Sequence, residues 1–450
     1  MCLLLEISNE LLHTIFLDVD PSDLAALSQS CQALNTFVKS NKLLYKELYL
    51  QRFDRPPQDI PCWETELKKL VKCQKILESK HDSIKRSQLQ FVGRTVASLL
   101  ETASTPSDSP SLNRTFLVEQ FCAQQNIDNF LCSSSLFEHA GLDTQVPAET
   151  PADQQLSAKL HCLYGVPVDL IGRRVKPTHP YARSRVYDLR NYTDASLWGP
   201  FMDDGTENVD WEKVEAIMVV LNYNLRVFSE RTNGDFEPFW SLPFEGASPN
   251  SFVSPTTLGI PSEPSLPIES QDPYGVTGTW MRVVTFLDYN DLYHFNFAPD
   301  DLLNDEPRMP IETEEAIRLI RMKLRVTKIV PPGEDDGQSL PVVYFKGTSR
   351  SLHSQWDPNA NSGIRGTVRL TREGEIRWTT FSIFHGEERW RSEGVQVGGI
   401  RSARGVLGNW FDKDYDMHGP AGPTAFWKIT DEIPTEKKAT GGPLPHVIFI

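Results

Sequence analysis

No apolar run in this chain of 450 residues approaches the roughly 20 needed to cross a bilayer. The opening Met1–Leu5 is too short for a secretory signal, and acidic Glu6 follows at once. No cysteine lies beyond position 162. The seven present, at 2, 31, 62, 73, 122, 132 and 162, are odd in number and form no C-x-x-C pair. A disulfide framework is therefore not expected, and a reduced compartment, cytoplasmic and/or nuclear, is. Positive charge is scarce: the net charge is −15 and the pI near 5.2, which argues against general nucleic-acid binding. There is no His-Glu-x-x-His, no Gly-x-Ser-x-Gly and no Gly-x-x-x-x-Gly-Lys. His353, His385 and His418 are scattered in a half of the chain without cysteine, so no zinc site is expected. Asp412-Lys-Asp-Tyr-Asp416 opens like a calcium loop, but Met417 and Pro423 stand where such a loop needs glycine and glutamate. The chain is expected to be a non-catalytic protein with no metal, no cofactor, no nucleic acid and no membrane partner.

What is present begins at the N-terminus. Leu11, Leu12, Ile15 and Phe16 fall on one helical stripe. Ser8 or Asn9 can cap it, and Glu10 lies in the first turn, where the helix dipole favours an acid. Asp20-Pro21 breaks the helix. Asp23, Leu24, Leu27, Cys31 and Leu34 begin a second amphipathic helix, and Phe37, Leu43, Leu44 and Leu48 supply a third. Three short helices cannot bury so many apolar residues among themselves, so part of this face is expected to meet a partner. The order is an opening Leu-x-Ile-x-x-Glu-Leu-Leu, an Ile-Phe pair, an Asp-Leu after proline and a late Leu-Tyr pair. It resembles an F-box, with Ser8 where that family has proline and Tyr45 where it has tryptophan.

The length exceeds one comfortable core. The expected class is α+β multidomain. An F-box spans 1–55. A helical spacer spans 56–155, with Ser/Pro linkers at 104–111 and 145–155. A β domain spans 160–430, including a helix over 210–228 capped by Asp210 and a loop at 246–273 expected to be disordered or draped over the surface. In the spacer, Trp63–Lys80 and Phe116–Phe137 read as helical. From Thr279 onward, strands are expected at 280–287, 323–330, 340–345, 364–370, 375–384, 389–397, 406–411 and 425–429. So many sequential antiparallel strands point to an up-and-down barrel, which removes exposed edges by closure. Gly278-Thr-Trp280 and Gly408-Asn-Trp410 each match the Gly-x-Trp of lipocalin-like barrels.

Between Ile364 and Phe411 lie eight arginines, five acids and no lysine. Arginine's planar fork suits two-point binding of carboxylate or phosphate. Arg365, Arg369, Arg377, Arg389 and Arg391, with Trp378 and Trp390, are the candidate substrate-binding residues of a barrel mouth. The alternative is outward Arg–Glu pairs around a tryptophan-filled core.

Beyond the F-box, the chain resembles fungal F-box proteins with a C-terminal β domain. The segments that carry this are Val209–Ile217, Trp356–Ala360, Ile364–Val368, Arg377–Thr380 and Gly408–Asp414. The β domain is also similar, more distantly, to that of the animal F-box protein that directs cyclin D to degradation. The resemblance implies a substrate-recognition subunit of an SCF-type ubiquitin ligase. The F-box would bind a Skp-type adaptor, and through it a cullin, while the barrel binds a protein degron. Adaptor contact is expected from Ile7, Leu11, Leu12, Ile15, Phe16, Leu24 and Leu27. Two other readings stay open: a barrel enclosing a small apolar ligand, with the F-box controlling turnover, or an adaptor-bound protein acting outside the cullin complex.

Overall fold

The computed structural model describes residues 7–58, 60–105, 110–140, 148–165, 175–232, 240–255, 266–298, 306–352, 361–434 and 448–449. Met1–Glu6 and the Trp356–Ala360 segment lie outside them, as does His353. The chain divides into two compact units, Met1–Phe130 and Leu131–Ile450.

The first unit is helical. Its first helix, α1 (Asn9–Leu17), is capped by Ser8, whose hydroxyl accepts from the Leu11 N–H, with Glu10 in the first turn. After the Asp20-Pro21 break come α2 (Leu24–Ser30), α3 (Gln32–Ser40) and α4 (Lys42–Arg52). The expected second helix is thus two, because Cys31 between them is extended at φ −159° and ψ 161°. The remainder is α5 (Trp63–Glu78), α6 (Asp82–Ser87), α7 (Leu89–Glu101), α8 (Leu112–Gln120) and α9 (Gln124–Phe130).

The expected boundary at 55/56 runs through one core. Tyr49 of α4 packs edge-on against Trp63 of α5 at 5.3 Å, and Phe53 against Phe116 of α8 at 5.2 Å. The ends of the Ser104–Ser111 linker are fixed as well. Buried Asp54 accepts from the N–H and hydroxyl of Ser104, from the Ser111 hydroxyl and from the Leu112 N–H. Burial alone would raise its pKa. The hydrogen bonds outweigh that and hold the carboxyl below its ordinary range. Residues 106–109 lie outside the described ones.

The second unit begins with α10 (Ser135–His139), α11 (Pro151–Tyr164), α12 (Val175–Tyr187) and α13 (Trp211–Arg231). The spacer therefore ends near Phe130 rather than 155. Pro151, inside the expected second linker, occupies the first turn of α11 behind its Thr150 cap, while 145–147 lie outside the described residues. Asp210 caps α13 as expected, accepting from the Lys213 N–H. Nearly every residue from Trp211 to Leu225 is buried, since α13 packs on α11, on α12 and on the barrel wall.

The wall consists of β1 (Gly278–Leu287), β2 (Glu315–Val330), β3 (Val342–Ser351), β4 (Asn361–Leu370), β5 (Ile376–Phe384), β6 (Glu387–Gln396), β7 (Val406–Asp412) and β8 (Ala421–Thr430). Each strand pairs antiparallel with the next, and β8 returns to β1, closing an eight-stranded barrel. A short β9 (Ile448–Phe449) adds to β2 at Ala316 and Ile317. The fold class read from the sequence is the one observed. Strand β2 begins eight residues before its expected start, because Arg318, Arg321 and Lys323 interrupt the apolar pattern. A helix between β1 and β2, α14 (Tyr289–Phe297), was not expected. The described parts of 246–273 follow the barrel: Asn250 and Phe252 donate their N–H groups to the Ile400 and Arg401 carbonyls. Residues 256–265 lie outside the described ones.

Alternation along the strands separates the two faces of the wall. Trp280, Met322, Val343, Phe345, Val368, Trp378, Val406 and Phe426 share the inner face and form one buried cluster. Glycine stands at 394, opposite Trp378. A Cβ there would come within 2.8 Å of the Val406 side chain, so the inner face has no room for one beside the indole. Tyr274 and Val276 close this end of the barrel, held by the Asp272 carboxylate, which accepts from both of their N–H groups.

Candidate recognition sites

On the F-box, the seven candidate adaptor residues fall into three groups. Leu11 and Ile15, one turn apart on α1, are 59% and 43% exposed, and Leu43 at the start of α4 is 55% exposed. Ile7 and Leu27 are half-buried. Leu12, Phe16 and Leu24 are buried inside the unit itself, with Phe16 edge-on to Phe37 at 5.4 Å. Phe16 and Leu12 thus serve the box's own packing, which corrects the expectation of one continuous contact stripe. The α1 helix turns its adjacent apolar pairs to opposite sides, Leu12 and Phe16 inward, Leu11 and Ile15 outward. Of the apolar residues expected on the third helix, Leu44 and Leu48 are buried and Leu43 belongs to the exposed apolar surface.

In the barrel, the expected arginine mouth does not form. Arg365, Arg369, Arg377 and Arg391 occupy alternate positions on β4, β5 and β6, and their register puts all four on the outer face. Each meets carboxylates there. Arg369 and Arg377 both bind Glu207, Arg369 also pairs with Asp336 at 2.9 Å, and Arg365 pairs with Glu388. Fully buried Glu393 accepts from Arg377 at 2.8 Å and also from Arg391. Burial would lower the Arg377 pKa, but Glu393 and Glu207 raise it instead. The Phe381 ring lies between Arg365 and Arg391, 4.2 and 5.4 Å from their guanidinium carbons. Arg389 is exposed, 4.9 Å over the Trp390 ring. Trp378 is 1% exposed and donates its indole N–H to Gln396, so it belongs to the barrel core and not to a mouth.

The inner face holds a group the sequence reading missed. Arg282 of β1 points into the barrel at 4% exposure. Its Nε donates to the Thr424 hydroxyl and its Nη2 to the Ser392 hydroxyl, both at 2.9 Å, and Ser392 meets Thr380 at 2.6 Å. Among the described residues no carboxylate pairs with it. Burial alone pulls its pKa down to about 10.

Toward the ends of β1 and β7 that lie away from the closed cluster, the inner-face residues Val284, Phe286, Arg318, Ile320, Trp390 and Trp410 are only half-buried. Trp390 and Trp410 meet edge-on at 5.3 Å, and Arg318 lies 5.8 Å over the Phe286 ring. The inner-face residues are thus fully buried at one end of the barrel and half-buried at the other. The signal for this site was the parity of Arg282 within the strand begun by Trp280. A lone arginine in an apolar run is easily passed over beside a cluster of eight.

This unit also contains charged clefts. One of about 380 Å³ beside α12 is lined by Asp188, Arg190 and Arg308, with Asp188 between the two arginines at 2.7 and 3.6 Å. Among the described residues there is no group of three or more His, Cys, Asp or Glu that could hold a metal ion, no disulfide, and no helix long and apolar enough to cross a membrane.

The F-box domain family matches residues 4–46, which are the helices bearing Leu11, Ile15 and Leu43. No curated protein and no solved structure matches the chain. The protein therefore carries an N-terminal F-box and a C-terminal closed antiparallel β-barrel.

Proposed function

We propose that this protein is the substrate-recognition subunit of an SCF-type ubiquitin ligase, working in the cytosol or nucleus. The observation that carries the reading is the F-box match at 4–46, in a compact unit separate from the barrel. The exposed pair Leu11 and Ile15, with Leu43, supplies the apolar surface a Skp-type adaptor would cover, and the adaptor would bring a cullin. The barrel would hold a protein substrate, keeping its lysines at high local concentration near the charged conjugating enzyme. No chemical step falls to this chain, since proximity is the whole of its contribution.

The test is affinity purification of the tagged chain from its own cells under proteasome inhibition, beside the Leu11→Asp/Ile15→Asp double variant. Adaptor and cullin retained by the wild type and lost from the folded variant support the proposal. Their absence from the wild type overturns it. A second reading, a barrel for a small ligand with the F-box controlling turnover, is favoured by one observation: the barrel interior is closed at one end and polar at its centre.

A further inference from the structure

We propose that the barrel interior is a carboxylate-binding site built on Arg282, which takes an acid group whose apolar body extends toward Phe286, Trp390 and Trp410. An arginine buried in a barrel without a carboxylate partner costs the fold stability, because the desolvation of its charge is not compensated. The outer wall of the same barrel shows the ordinary solution: each buried arginine there meets a glutamate or aspartate. Arg282 instead meets two neutral hydroxyls. Thr424 and Ser392 hold the guanidinium by Nε and one face of Nη2. Nη1 has no hydrogen-bond partner among the described residues. The free Nη1/Nη2 end of the fork matches the two oxygens of a carboxylate.

The route in is set by the strand. From Arg282, Val284 and Phe286 lead outward at two and four residues, about 7 and 13 Å along β1. All that lies on the other side of Arg282 is the closed cluster around Trp280 and Trp378. A single carboxylate with a body of three or four carbons and an aromatic ring spans that distance. The acid has two possible carriers, a small molecule or a peptide, and the same guanidinium would read either. The inference rests on the barrel being a recognition module and not on the F-box.

The probes are 4-phenylbutanoate, its neutral counterpart 4-phenylbutan-1-ol, and the peptide acetyl-Ala-Ala-Phe with its free carboxylate. Each is titrated calorimetrically into the full chain. At least one acid should bind saturably and the alcohol at least about tenfold more weakly, as expected for loss of a charge-assisted pair. Acid binding should fall as the pH drops through the probe's own carboxyl pKa, about 4–5 for 4-phenylbutanoate and about 3.5 for the peptide. Tighter binding of the peptide assigns the site to a degron, and tighter binding of 4-phenylbutanoate to a small ligand. Arg282→Met should weaken acid binding by about tenfold or more while leaving the melting temperature of the empty protein unchanged or raised. Equal binding of acid and alcohol, or no binding of either acid, overturns the proposal without any variant. So does an Arg282→Met protein that melts lower yet binds acid as before. Adaptor binding by Arg282→Met is unaffected in every case, so failure here and failure of the ligase reading are distinguishable.

Discussion

The two faces of the barrel wall treat arginine in opposite ways. On the outside of β4–β6, Arg365, Arg369, Arg377 and Arg391 are matched by Glu388, Glu207, Asp336 and Glu393. On the inside, at similar or deeper burial, Arg282 is matched by threonine and serine. Density of charge in the sequence therefore pointed to the wrong face. A cluster of arginines interleaved with glutamates is a wall that satisfies itself, whereas an isolated arginine without an acid is the one with capacity left for a ligand.

The comparison can be broken first at Glu393. Removing this fully buried carboxylate leaves Arg391 without its carboxylate partner and Arg377 with Glu207 alone, and Glu393→Ala should cost about 3–5 kcal/mol in urea denaturation. A cost below about 1 kcal/mol would mean that the outer network is not what holds the wall.

The F-box offers the corresponding contrast between inner and outer leucines. Leu11→Asp/Ile15→Asp, on the exposed face, should weaken adaptor binding by about 100-fold or more with little change in melting temperature. Leu12→Ala, one residue away and buried, should instead cost about 2–5 kcal/mol of stability. Calorimetry and thermal melts separate the two effects.

A smaller effect is expected at Asp54. Its folded pKa is depressed, so its contribution is fully present above the unfolded value near 4 and is lost as pH falls through the lower, folded value. Asp54→Asn should cost about 1.5–3 kcal/mol at pH 7. Denaturation curves of wild type and variant should converge as pH is taken below about 4. The smallest effect is at the half-exposed Arg365–Glu388 pair, where Arg365→Ala should change stability by less than about 1 kcal/mol.

Much of the architecture was legible because it rests on local periodicity. Each of the eight strands had an alternating or apolar run marking it. The caps Ser8 and Asp210 were visible as polar residues ahead of helical stripes. Cys31 was not legible as a break, since nothing in Leu24–Leu34 forbids a continuous helix and only packing forces the extended residue. Helix α14 escaped notice because its Tyr289, Tyr293 and Phe297 face is exposed while Asn296 is buried, the reverse of the usual amphipathic pattern.

The sequence by itself determined the F-box, the helical continuation and a barrel of sequential strands, because composition and periodicity act over a few residues. Tertiary structure alone decided which side of each element faces a neighbour. Closure of the sheet assigned odd and even positions to wall and lumen, put Trp378 in the core and Arg365 outside it, and left Arg282 within. Helix docking likewise chose Leu12 and Phe16 for the core and left Leu11 and Ile15 outside. Both choices depend on contacts between residues far apart in the chain, which no local pattern encodes.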